Sequence, residues 1–316
     1  MTKKVRTITG DISPDALGYT LIHEHLCVDW GDLLGRPKYI DFDREEMIQR
    51  MLAKLEEAAS YGVQAMVDCT PIGTGRYVDL FLDVARRSSV KIICSTGFFH
   101  ETWAPMHIFA KLMDIDQMAD LFVREITEGM GDTLIKAGII KCATGEGKIT
   151  PKEEEVLRAA ARAHKRTDCP IITHTTNGLG PEQLDIFESE GVAPNEVIIS
   201  HVGCQPDPIE GSEAVLSRGA NVSFDRIGMV KAFYPDEYWL DVVGNAIKKG
   251  YIDQIMLSHD AAVFAYGYEA ASGDDVWDDY TYVSRQFIPK LQQAHGISDE
   301  QINTIMVENP KRALAF

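Results

Sequence analysis

The 316-residue chain contains no run of about 18 consecutive apolar residues, the length a helix needs to cross a bilayer. Its start, MTKKVRTITG, has two lysines but no apolar stretch behind them, so a secretory leader is not expected and a cytoplasmic location is. Positive charge is scarce, with 31 Lys and Arg against 48 Asp and Glu and a formal net charge of −17. No cluster of five or more basic residues offsets this, which argues against sequence-independent binding to nucleic acid or an anionic membrane. The six cysteines, Cys27, Cys69, Cys94, Cys142, Cys169 and Cys204, show no CxxC spacing, and most sit in or beside apolar runs. That excludes a disulfide scaffold and a cysteine zinc site in favour of buried free thiols. A GxSxG elbow, a GxxxxGK[ST] loop and a GxGxxG fingerprint are also missing, and with them the motifs of serine hydrolases, NTPases and dinucleotide enzymes.

What is present is a repeating alternation. Apolar, strand-like runs occur at 19–23, 64–69, 90–95, 135–142, 170–174, 196–201, 221–225 and 254–259. Between them lie stretches of helical period, among them 43–60, 151–167, 181–190 and 236–249, and 298–314 reads as closing helices. Thr150 followed by Pro151, with glutamates in the first turn, is a helix start. Eight strand–helix alternations with nearly continuous apolar strands predict an α/β fold, a parallel (β/α)8 TIM barrel. No low-complexity linker divides it, so residues 1–316 are expected to form one domain.

Such barrels carry their chemistry at the C-terminal ends of the strands. There the sequence is polar: His23-Glu24-His25 on the first run, Lys141 on the fourth, His174 on the fifth, His201 on the sixth and Asp260 on the eighth. Strand alternation points His23 and His25 to one face and Glu24 to the other, and turns His259 away from Asp260. An isolated HxH occurs often by chance, and a single histidine is most often a hydrogen-bonded core residue. Four histidines and an aspartate converging on one barrel mouth predict a metal site. Lys141 has two readings: an ammonium that snorkels or pairs with an acid, or an amine carboxylated by CO2 to a carbamate whose two oxygens can bridge cations.

The segments TLIHEHL, GIIKCATG, PIITHTT, GPEQ, VIISHVG, FDRIG, LSHD and ENPKRAL, in this order, resemble the phosphotriesterase family of the amidohydrolase superfamily, above all its phosphotriesterase-like lactonases. The resemblance spans essentially the whole chain. It implies a binuclear centre in which His23, His25 and Asp260 hold one divalent cation, His174 and His201 hold the second, and carboxylated Lys141 bridges them together with a hydroxide. Zinc is the expected metal, and such a donor set also accepts manganese, cobalt or iron. The activity implied is attack of the bridging hydroxide on a lactone carbonyl, with Asp260 as general base and organophosphate triester hydrolysis as a side activity.

Substrate contacts are expected from Phe99, His100, Arg226 and Phe264. Arg226, in FDRIG, matches an arginine of the lactonase branch; its plainer alternative is a surface or salt-bridged residue. Phe99 stands where related lactonases commonly carry tyrosine and organophosphate hydrolases tryptophan, and it cannot donate a hydrogen bond. Phe98 and Phe99 are expected as pocket wall. The segment 261–279, with Val263, Phe264, Tyr266, Tyr268 and Trp277, is expected to be a lid or a homodimer contact. A second reading keeps the site and changes the substrate to another carboxylic or phosphate ester or an N-acyl amide. A third, a non-catalytic barrel that binds a ligand through its aromatic loop, should lack a ligand residue, and all six are present.

Overall fold

The structure, a computed structural model, describes residues 2–29, 43–101, 108–176, 178–205, 207–229, 234–266 and 278–316. Eight strands follow one another around a sheet: Thr20–Asp29, Ala65–Asp68, Lys91–Gly97, Ile139–Ala143, Ile171–His174, Val197–Ser200, Asn221–Phe224 and Ile255–Leu257. Each pairs in parallel with its neighbour in sequence. A ninth, Ala262–Tyr266, continues the eighth and runs parallel to the first.

Residues 258–261 complete the closure. The His23 N–H donates to Ser258 Oγ at 2.9 Å, the Asp260 N–H to the His23 carbonyl at 3.0 Å, and the His25 N–H to the Ala261 carbonyl at 2.9 Å. The expected (β/α)8 barrel is thus formed. Among the described residues, no helix is long and apolar enough to cross a membrane.

Strand alternation separates two cores. Ile22, Val67, Ile93, Ile139, Ile172, Ile198 and Met256 fill the barrel interior, closed from below by Val5, Leu17 and Leu314. The other strand faces join the helices in a larger outer core, in which Phe81, Phe122, Phe187, Phe224 and Trp239 are fully buried. The helices follow local rules. Pro151–Thr167 opens on a Thr150–Glu153 capping box, worth about 1 kcal/mol, and ends at Asp168 in the left-handed conformation.

Two expectations are corrected. The first strand does not end at His25 but runs to Asp29, and it carries a bulge: between Leu21 and Glu24, three residue steps face two, Met66 to Asp68, on the second strand. The extra residue lets Ile22 face the inner core and His23, its immediate neighbour, face the mouth. The segment 261–279 is not loop throughout, since Ala262–Tyr266 is sheet, with Phe264 opposite Cys27. Tyr268 and Trp277 lie outside the described residues.

Candidate metal centre

Along the inner face of several strands, the position after the apolar layer is polar. Ile139 is followed two residues on by Lys141 and Ile172 by His174, as the pleat requires. His201 and Asp260 lie just beyond the sixth and eighth strands and reach the same space by a different device, with left-handed φ values of 63° and 59°; Arg226, past the seventh, has 66°. Of four non-glycine residues described with positive φ, three are therefore at this mouth, where surrounding contacts hold a conformation that costs about 1–2 kcal/mol. Gly97 meets a related demand. With φ at +107°, a Cβ there would lie 1.8 Å from the Lys141 carbonyl oxygen, so only glycine lets the third strand turn against the fourth at this level.

The imidazole tautomers follow from the hydrogen bonds. Thr70 gives its single hydroxyl proton to the Cys27 carbonyl, so His25 Nδ1, 2.8 Å away, must donate to Thr70 Oγ1, and His25 Nε2 carries a lone pair. Lys141 Nζ donates to His23 Nε2 at 2.9 Å, leaving the His23 Nδ1 proton facing Asp225 Oδ2 at 3.4 Å. His201 donates from Nδ1 to Asp225 Oδ1 at 2.5 Å, and its buried Nε2 has no hydrogen-bond partner among the described residues. Thr176 donates to the Thr144 carbonyl and accepts from His174 Nε2 at 3.2 Å, which puts the His174 lone pair on Nδ1.

Lone pairs therefore confront a carboxylate. His25 Nε2 is 3.2 Å and His23 Nε2 3.5 Å from Asp260 Oδ1, and His201 Nε2 is 3.8 Å from Asp260 Oδ2. Acceptor against acceptor at this range is an arrangement that a bound cation would relieve. Two groups of donor atoms, His23–His25–Asp260 and His23–His201–Asp225, lie within 4.8 Å and suit a metal. The rings are 4.8 Å apart for His23 and His201 and 4.3 Å for His174 and His201.

Electrostatics fit the same use. Burial, with the Lys141 ammonium beside it, pushes the His23 pKa down to about 3, and burial likewise holds His174 well below and His201 below the ordinary imidazole value. Burial opposes ionisation of Asp260, yet its surroundings, including the Arg226 guanidinium that donates to Oδ2, hold its carboxyl well below the usual carboxylate range. Neutral rings and ionised carboxylates are the states in which both bind a cation. Lys141 is 1% exposed, and among the described residues no carboxylate pairs with it. That chemistry fits a lysine carboxylated to an anion rather than a buried bare ammonium.

The structure brings His23, His25, Lys141, His174, His201 and Asp260 into one cluster. Arg226 is drawn into it: buried, with Nε donating to Asp260 Oδ2 at 3.0 Å, it is the salt-bridged residue of the plainer expectation as well as a neighbour of the mouth. Phe99 is half-buried and meets the His174 ring edge-on at 5.0 Å, and His100 lies 5.3 Å from that ring. Burial, followed by the charge of Arg226, lowers the His100 pKa to about 4.

Phe98 is not pocket wall. It is 2% exposed and packs edge-on against Phe122 in the outer core, because consecutive residues point to opposite sides. Phe264 packs against the same outer core, under the Arg50 guanidinium at 5.0 Å, so its contacts run to the helix layer. His259 faces away from the ligands, as alternation requires, and bonds Glu24.

Three supporting residues escaped the sequence reading. Asp225 orients His201, Thr70 orients His25, and Gln183, in the GPEQ segment, donates to the His174 carbonyl at 2.9 Å and to Thr144 Oγ1 at 2.8 Å. Only Asp225 had a usable signal, an acid just past the seventh strand and two residues from the inward Ser223 that donates to it.

Residues 3–314 match the model of the Phosphotriesterase family. An aryldialkylphosphatase from Saccharolobus solfataricus is 33% identical over 94% of this chain and 94% of that one. A phospho-furanose lactonase from Mycoplasmopsis agalactiae is 30% identical, covering 99% of this chain and 92% of its own. The solved structure of the phosphotriesterase from Mycobacterium tuberculosis superimposes with a TM-score of 0.86 at 34% identity, over 98% of both chains.

Proposed function

From the premise that this chain belongs to the phosphotriesterase family of hydrolases, we propose that it is a binuclear metal-dependent lactonase with organophosphate triester hydrolysis as a side activity. The observation that carries the reading is the set of imidazole lone pairs turned towards the Asp260 carboxylate, with the protons of His25 and His201 committed to Thr70 and Asp225 on the far side of their rings. His23, His25 and Asp260 would hold one cation, His174 and His201 the other, and carboxylated Lys141 would bridge them. When bound, two such ions, zinc in the first instance, lower the pKa of a water and polarise the oxygen of the bond under attack.

The remaining work falls to the chain. Asp260 accepts the proton released as the water attacks, at Oδ2, the oxygen that Arg226 Nε holds in place. Arg226 and His100 flank the acyl group, and the Phe99 ring covers His174 and keeps bulk water from that side. Arg226, shared in pattern with the lactonase branch, and the lactonase among the relatives support a cyclic ester as substrate. A second reading, another ester or an N-acyl amide on the same site, is favoured by one observation: Phe99 brings no hydroxyl to the substrate oxygen. In either reading the chain works as one domain in the cytoplasm, as a homodimer acting on a small molecule.

Metal analysis of purified protein, combined with a screen of lactones, aryl esters, phosphotriesters and N-acyl amides, tests the proposal. About two divalent ions per chain, lost together with lactonase activity on chelation, are expected. Active protein holding only trace metal would overturn the reading, and turnover confined to amides would move it to the second.

A further inference from the structure

The ligand Asp260 stands in a left-handed conformation between the short eighth strand and the ninth, on a stretch with no regular ladder of its own. Something must hold it there. The two peptide N–H groups that flank it, those of His259 and Ala261, both donate to one carboxylate, that of Glu24: the first to Oε1 at 2.9 Å, the second to Oε2 at 2.8 Å. Glu24 is fully buried and lies on the first strand between His23 and His25, two of the other ligand candidates. Its Oε1 also accepts from Ser258 Oγ at 2.8 Å and from His259 Nδ1 at 2.6 Å. The tautomer of His259 is fixed from behind, because the Val283 N–H donates to its Nε2 at 2.9 Å, so Nδ1 carries the proton that goes to Glu24. All four neighbours donate and none accepts.

We propose that Glu24, steadied by His259, is a positioning residue for the metal centre: its carboxylate clamps the backbone on both sides of Asp260 and so fixes that ligand against the His23–His25 pair on the same strand as the clamp. The proposal rests on the metal-dependent reading above. It gives the HEH segment a division of labour in which the outer residues bind and the middle one, on the opposite face, sets the position of a third ligand from the far end of the chain. Glu24 touches neither metal nor substrate and acts only through Asp260.

The closest isosteric test is Glu24→Gln, which presents an NH2 group to one of the donors. Metal affinity is read directly, by titrating the metal-free protein with cobalt(II) or zinc against a competing chelator, with circular dichroism to establish the fold. The expected result is a folded protein in which at least one equivalent binds about 10- to 100-fold more weakly, the usual effect of losing an outer hydrogen-bond partner, and in which kcat falls while KM changes little.

His259→Asn, which can keep a donor towards Glu24, should retain more affinity than His259→Ala, and this pair carries the test if Glu24→Gln does not fold. Glu125→Gln serves as a control, since Glu125 is a buried acid whose side chain pairs with Arg76 and with none of the ligand candidates, and it should leave metal affinity unchanged. Wild-type affinity in folded Glu24→Gln, equal affinity in the two His259 variants, or equal weakening by Glu125→Gln overturns the positioning role alone. A wild-type protein that binds no metal overturns the proposed function and this role with it.

Discussion

At the base of the barrel interior Ile22, Ile93, Ile139, Ile172 and Ile198 form a dry layer, while one pleat higher the same strands or their ends present His23, Lys141, His174 and His201. The lower layer is held by burial alone, each side chain contributing about 1.5–3 kcal/mol with no directional demand. The upper layer buries imidazole, ammonium and carboxylate groups, which costs stability unless every polar atom finds a partner, and its members are oriented by Thr70, Gln183, Asp225 and Glu24 from behind. One layer therefore carries the fold and the other the proposed chemistry, and substitutions should separate them.

The largest separation is expected from His201→Ala. Hydrolysis should fall by at least about 100- to 1,000-fold, the scale of losing one preorganised electrostatic element, with little loss of Tm in metal-free protein. Near-normal turnover would show that the upper layer is misassigned. One layer down, Ile198→Ala should do the reverse, costing about 2–5 kcal/mol in denaturant unfolding while the folded fraction still takes up about two metal equivalents. Asp225→Asn tests the support of the upper layer: metal affinity should drop about 10- to 100-fold by chelator competition, with a Tm close to wild type.

The smallest effect is expected at the rim. Phe99→Tyr adds a hydroxyl beside His174 and, on the proposed reading, should raise kcat/KM for lactones about fivefold, equivalent to about 1 kcal/mol, with little change for phosphotriesters. Lactone and phosphotriester rates that rise together, or not at all, would make Phe99 passive wall and favour the second reading of the substrate.

The lower layer was legible in sequence because apolar runs of five to eight residues recur along the whole chain between helical stretches, and the pleat alone carried Lys141 and His174 from those runs to the mouth. His201 and Asp260 were found from residue type, although their route is a left-handed backbone that no periodicity announces. Arg226 was expected at the mouth, but its ion pair with Asp260 depends on two chain turns meeting in space. Thr70 and Gln183 went unseen because an orienting hydrogen bond leaves no spacing signature, whereas Asp225 was missed despite its spacing from the inward Ser223. Phe98 was misjudged from its neighbour: adjacent aromatics invite one role, and the chain gives them opposite sides.

The bulge in the first strand has a consequence for residue count rather than residue type. A regular strand has one phase, in which every second side chain looks inward; this one has two phases spliced at the extra residue, the lower serving Ile22 and the upper serving His23 and His25. Deleting Ile22 would erase the splice yet keep both imidazoles inward, at the cost of a gap in the layer below. Inserting one residue after His23 would instead put the two imidazoles on opposite sides of the sheet. The effect of a gained or lost residue between Leu21 and Glu24 therefore depends on whether it falls at the splice or beyond it, a dependence that a pleated strand without the splice would not have.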